Sequence, residues 1–151
     1  MKNLFLFFLV TLSFSSLAVE LKFIGPCQED FIMRTFVNEE FDNVGDLTIE
    51  TLRKFAIPHT GTSEGLASAF ETPVGEAAIE IISPNEKRFY GWCYLVDGIA
   101  PEVYPHEERI TLETEAIVWT FGFARFKNGE WTSRCTPAHT VKPDFLCKDP
   151  T

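Results

Sequence analysis

Only one long segment of this chain repeats its apolar residues at helical spacing, whereas most other apolar runs alternate with period two. Ile49, Leu52, Phe55 and Ala56 recur three and four apart within Leu47–Ile57, which places them on one face of an amphipathic helix. Asp46 follows the turn Asn43-Val44-Gly45 and is positioned to cap that helix, since its carboxylate can accept a free backbone N–H two or three residues on. Pro58 stops it. A chain with one such helix among several strands buries its apolar surface by laying the helix on a sheet.

Leu21–Ile24, ending at Gly25-Pro26, reads as the first strand and Phe31–Val37 as the second. His59–Gly75 is rich in Gly, Ser, Thr and Ala and reads as a long loop with one turn of helix around Leu66–Ala69. Strands resume at Ala77–Ile82 and at Gly91–Val96, the latter closed by the turn pair Asp97-Gly98. Arg109–Leu112 fits a short edge strand. Glu115–Phe126 is the longest alternating run, and Lys127-Asn128-Gly129 turns it into a hairpin with Glu130–Thr132. This order predicts an α+β, β-grasp-like fold: one helix packed on a mixed sheet of about five strands, with an extra C-terminal hairpin. In that topology the first strand lies centrally, parallel to the last.

The N-terminus predicts export. Lys2 precedes an apolar run through Leu17, and Ser16-Leu17-Ala18 places small residues where signal peptidase requires them. Residues 1–18 read as a signal peptide cleaved between Ala18 and Val19, leaving 19–151 as a single domain in the periplasm or outside the cell. A membrane anchor would need about 20 consecutive apolar residues, and Ser13, Ser15 and Ser16 interrupt this run. All four cysteines, Cys27, Cys93, Cys135 and Cys147, lie beyond the cleavage point. An even count in an oxidising compartment reads as two disulfides; zinc is the weaker reading, because no C-x-x-C pair exists. Sequence alone leaves all three pairings open. A hydrophobic fraction of 45% excludes disorder, and a net charge of -9 argues against nucleic acid or an anionic membrane surface as the main partner. A monomer without a cofactor or a membrane span is expected.

Gly91-Trp92-Cys93-Tyr94-Leu95-Val96-Asp97-Gly98 resembles the hallmark strand "G-W-m-Y-y-V-N-G" of the domain family numbered DUF4430, which is related to the C-terminal domain of transcobalamin and intrinsic factor. Leu47-Thr48-Ile49-Glu50-Thr51-Leu52 is similar to the family's helix motif "T-v-l-d-a-L". Ala116-Ile117-Val118-Trp119-Thr120-Phe121 keeps the V-x-W-x-aromatic part of its last strand. Thr114-Glu115 replaces the Gly-Asp before that strand, and Asp97 stands where the hallmark has Asn. The resemblance spans residues 20–124 and implies a β-grasp-like, extracellular module that binds a ligand or partner. With the first and last strands parallel, Cys27 falls near the edge reached by residues after Phe126. That topology predicts the pairs Cys27–Cys135 and Cys93–Cys147, the second pinning the tail 135–151.

Trp92, Tyr94, Trp119 and Phe121 alternate on two strands and can form a platform for a planar ligand, a sugar or a peptide. The same face can instead pack against the helix carrying Leu52 and Phe55. Tyr90, Tyr94 and Trp131 are suited to a surface, because phenol and indole tolerate water at one end. Tyr90, Trp92, Tyr94, Asp97, Trp119 and Phe121 are therefore the candidate ligand-binding set. His106-Glu107-Glu108 with Glu102 invites a metal reading, as do Glu29-Asp30 and Glu39-Glu40 with Asp42. No HExxH motif is present, and solvated acidic turns account for these runs, so no metal is expected. A cysteine nucleophile with His59 or His139 as base would need a reduced, accessible thiol. The sequence thus favours a non-catalytic binding module for a small ligand or protein partner. A structural envelope protein without a pocket is the alternative, with an exported thiol enzyme or hydrolase behind both.

Overall fold

Leu21 and Phe23 point to one side of the first strand, and Ile117, Trp119 and Phe121 point the same way from the last long one; all five side chains are buried. A computed structural model describes residues 18–147, so all of the expected signal peptide 1–18 except Ala18 lies outside the described residues. The strands are β1 (Val19–Ile24), β2 (Phe31–Val37), β3 (His59–Thr62), β4 (Gly65–Ala69), β5 (Ile79–Ser83), β6 (Glu86–Val96), β7 (Ala116–Lys127) and β8 (Glu130–Pro137). One α-helix, α1 (Val44–Lys54), follows β2. The main sheet runs β2-β1-β7-β6-β5, with β8 added to β7. β1 and β7 are parallel and the other pairs antiparallel, so the sheet is mixed. This is the expected α+β arrangement, with the first strand central beside the last long one. No helix among the described residues is long and apolar enough to cross a membrane.

Val44, Leu47, Ile49 and Leu52 of α1 pack with Val19, Leu21, Phe23, Ile117 and Trp119 of the sheet. Each such side chain contributes about 1.5–3 kcal/mol on burial. The helix starts earlier than the spacing predicts. Asn43, not Asp46, is the N-cap: its side chain accepts from the Asp46 backbone N–H at 2.8 Å, and Asp46 sits in the first turn, where its charge favours the helix dipole. The helix also ends earlier, at Lys54. Ala56 turns left-handed at φ 52, and its N–H bonds to Arg53 O while Ile57 N–H bonds to Leu52 O, the paired closure of a Schellman motif. Phe55 is thereby left 49% exposed rather than buried against the sheet.

Four further expectations are corrected. His59–Gly75 contains the β3–β4 hairpin, not a loop with a helical turn. Ala77 and Ala78 belong to a short 3-10 helix that precedes β5. β6 begins at Glu86, five residues before Gly91. Arg109–Leu112 forms no strand; it makes one isolated bridge, Asn43 to Arg109.

β8 is also longer than read, and this redirects the disulfides. The pairs are Cys27–Cys147 and Cys93–Cys135, not Cys27–Cys135 and Cys93–Cys147. Cys135 lies within β8, near Gly122 of β7, while Cys93 faces Thr120 from the other side of β7. The bridge crosses the central strand at Gly122, where a Cβ would stand 2.8 Å from Thr136 O, 3.1 Å from the Cys135 Sγ and 3.3 Å from the Cys93 Sγ. Register shifts between Phe123 and Phe126 bend β8 as it leaves. The tail then returns to the helix side of the sheet, where Ala138, Val141 and Leu146 pack on Tyr90, Phe121 and Phe123. Cys147, the last described residue, is tied to Cys27 just past β1. The helix and the tail thus cover the two halves of one sheet face.

Candidate functional site

Beyond Phe89, β6 loses its neighbour. β5 pairs only as far as Phe89, whereas β7 continues alongside β6 to Val96. Asp97 N–H bonds to Ala116 O, while Val96 N–H turns away from β7 to bond Ile99 O at 2.9 Å. Hydrogen-bonding direction alternates along an antiparallel strand, so the backbone N–H and C=O groups of Trp92 and Tyr94 also point away from β7. Nothing among the described residues pairs with them.

A groove of about 1280 Å³ runs along this open edge. One wall is the β3–β4 hairpin, through Thr62, Glu64, Leu66 and Ala67; the other is the loop from Ala100 to Glu107. Both walls are fixed at the start of α1. The hairpin turn lies so close that a Cβ on Gly45 would be 2.0 Å from Ser63 O, a contact only glycine permits. The loop accepts two first-turn N–H groups, Val44 to Glu108 O at 3.0 Å and Gly45 to Pro105 O at 2.9 Å. These are donors that a helix start leaves without internal partners. Tyr94 Oη donates to Val103 O at 2.8 Å and ties the same loop down from the sheet.

Trp92, Tyr94 and Trp119 line the groove. Trp92 is half-buried; its Nε1 donates to Thr72 Oγ1 at 2.9 Å and its ring meets Phe23 and Phe121 edge-on. Trp119 is 2% exposed, and its Nε1 donates to Thr48 Oγ1 at 2.9 Å in the helix–sheet interface. Burial pushes the Tyr94 phenol up to about 12, and the carboxylates of Glu108 and Glu107 add to the shift. Glu64, Glu102 and Glu107 stand on the walls against one guanidinium, Arg134, and His106.

The other three candidate residues lie elsewhere. Phe121 is fully buried. Tyr90 is 7% exposed rather than at a surface; its Oη donates to Glu80 Oε2 at 2.6 Å. Burial, with that carboxylate beside it, pushes its phenol well above the ordinary tyrosine range. Asp97 sits in the turn after β6 at φ 49, and its Oδ1 accepts from Glu115 N–H at 3.0 Å and Ala116 N–H at 2.8 Å. Its carboxylate therefore holds the start of β7 in place. Trp131 is exposed, as expected, and packs on Phe89 and Phe126.

Among the described residues, no three His, Cys, Asp or Glu side chains converge as a metal site. Glu107 Oε2 accepts from Tyr104 N–H at 3.1 Å, closing its own loop. All four cysteines are bridged, so neither His59 nor His139 has a thiol to activate. Sequence reasoning missed Glu64, Leu66 and Ala67. The glycines at 61 and 65, on either side of Thr62-Ser63-Glu64, are the turn signal that marks this hairpin.

No protein-family model matches the chain, and no curated protein matches it. Among solved structures it is similar to a "putative metal binding protein" from Ruminococcus gnavus. The two share 11% identity at a TM-score of 0.45, over 69% of this chain and 94% of the other.

Proposed function

We propose that this chain is an exported, non-catalytic binding module of the DUF4430 kind, whose site is the groove along the open edge of β6. The observation that carries this reading is the groove itself. It has an aromatic floor of Trp92 and Tyr94 between two walls anchored to the same helix end, and concave, largely pre-formed apolar clefts with a few polar groups are where ligands bind. The two disulfides support an oxidising, exported setting. The hallmark-like segment Gly91–Gly98 supports the family reading, since it supplies both the groove edge and the turn beyond it. A non-catalytic role is supported by the engagement of nearby reactive groups in the fold: the cysteines are bridged, and Thr72 and Asp97 hold backbone groups.

The test is native mass spectrometry of protein purified from its host without reductant. Wild type is expected to carry non-covalent mass that leaves on denaturation. Ala67→Trp, which fills the groove from an exposed position on β4, is expected to lose that mass while keeping the wild-type unfolding midpoint. Bare wild-type protein, or equal added mass on both proteins, refutes the reading.

A further inference from the structure

We propose that the occupant of this groove is an extended, basic peptide segment that joins the main sheet as a strand beside β6. The inference rests on the binding-module reading above and names its partner class. Three observations converge on it. The N–H and C=O groups of Trp92 and Tyr94 face the groove with no partner among the described residues, and an unpaired strand edge is a template for adding a strand. Groove-lining side chains flank this edge on both sheet faces. Trp92 and Tyr94 lie on the helix side, and Cys93 and Leu95 lie on the other. An added strand projects its side chains alternately to the two faces, so the groove offers successive side chains apolar surface on both sides.

The charge of the walls selects the partner. Glu64, Glu102 and Glu107 outnumber Arg134. Burial does most to raise the Tyr94 phenol, and the carboxylates of Glu108 and Glu107 add to the shift, so negative charge also stands beside this edge. Lysine or arginine on the added strand complements that field and steers encounter. An acidic segment meets like charges on both walls. An extended main chain offers alternating donors and acceptors at the spacing of the four backbone groups of this edge. The partner's main chain satisfies them, as edge-strand addition does in peptide-recognition modules.

The test uses the oxidised protein and a synthetic peptide, acetyl-Lys-Val-Lys-Thr-Lys-Val-Lys-amide. In the free protein, the Trp92 and Tyr94 amides are expected to exchange with solvent faster than those of Cys93 and Leu95, which face β7. Peptide binding is expected to slow the first pair by at least about tenfold, the equivalent of one net hydrogen bond. N-methylation of alternate peptide residues is expected to abolish binding in one register and spare it in the other, because only one peptide edge pairs with β6. Replacing every lysine by glutamate, or Glu102→Lys in the exposed wall, is expected to weaken binding. Equal binding of both N-methylated peptides, or unchanged exchange at Trp92 and Tyr94, overturns the proposal. If the peptide fails while wild-type protein still carries mass that Ala67→Trp removes, strand addition falls and the binding-module reading survives. If that mass is also absent, both fall.

Discussion

Thr48→Val probes whether a single buried hydroxyl joins the helix to the sheet. Thr48 and Trp119 are 1% and 2% exposed, and the indole Nε1 donates to Thr48 Oγ1 at 2.9 Å. The hydroxyl in turn donates to Val44 O at 2.7 Å, a carbonyl one turn back in the same helix. Valine matches threonine in shape, so packing is retained, but the indole N–H loses its acceptor in a site closed to water. Such an orphaned donor costs about 1–3 kcal/mol. With a urea dependence of about 2 kcal/mol per molar, the midpoint should fall by about 0.5–1.5 M. Thr48→Ser keeps the hydroxyl and loses one buried methyl, a cost of about 1 kcal/mol. The discriminating measurement is a cycle with Trp119→Phe. Once the indole is gone, Thr48→Val orphans nothing, and its cost should shrink by at least about 1 kcal/mol. An equal cost in both backgrounds refutes the argument that this bond joins the two layers.

Other predictions follow from the same structure. In the loop-entropy treatment, cutting Cys27–Cys147, with its sequence separation of 120, should cost about 5 kcal/mol. Cutting Cys93–Cys135, with a separation of 42, should cost about 4 kcal/mol; urea unfolding of the paired Cys→Ala variants checks the order. Gly122→Ala places a Cβ against Thr136 O and both Sγ atoms of one disulfide, an overpacking that should cost about 1–3 kcal/mol by the same assay. Burial, with the carboxylates of Glu108 and Glu107 adding to it, pushes the Tyr94 phenol from the ordinary value of about 10 up to about 12. The folded state therefore holds this proton longer, so its stability contribution is complete below pH 10 and is lost as pH rises toward 12. The wild type minus Tyr94→Phe absorbance difference at phenolate wavelengths should rise around pH 12; a rise at pH 10 contradicts the burial argument.

The elements legible in the sequence are those whose burial leaves a period. β1, α1 and β7 each turn one regular apolar face to the core, whereas β2 turns Met33, Thr35 and Val37 inward and leaves Phe31, Ile32 and Phe36 exposed. The β3–β4 hairpin has no such face. Its position is set by close approach to Gly45, a long-range contact carried by one residue with no side chain. The first half of β6 was hidden because Glu86 is buried beside Arg125 and Lys127 and Arg88 pairs with Glu80, so charge pairing across strands replaces apolar alternation. The disulfides differ from the expected pairs because β8 continues to Pro137 and carries Cys135 over the sheet, an extension that its polar sequence does not announce. Period two placed Trp92, Tyr94, Trp119 and Phe121 on one face, but periodicity cannot distinguish a face covered by a helix from one open to a ligand. That distinction depends on where the covering elements stop: α1 and the tail bury Trp119 and Phe121, and beside Trp92 and Tyr94 the β5 edge has already ended.

Asp97 shows how a motif residue that suggests a ligand can instead be explained by the fold. It belongs to the candidate ligand-binding set, yet its backbone is left-handed at φ 49 and its Oδ1 accepts two N–H groups from the start of β7. Both requirements are met by Asn: it tolerates the left-handed region better than most residues, and its amide oxygen can take the place of Oδ1. Asp97→Asn should therefore leave the unfolding free energy within about 0.5 kcal/mol of wild type. Asp97→Ala keeps the left-handed Cβ strain that is already present and loses both acceptor bonds that offset it, which contribute about 0.5–1.5 kcal/mol each. It should cost about 2 kcal/mol or more and should loosen the strand start, read as faster hydrogen exchange at Glu115 and Ala116. If Asp97→Asn instead weakened peptide binding at an unchanged midpoint, the carboxylate would be acting on a ligand rather than on β7, and the site would extend past the end of β6.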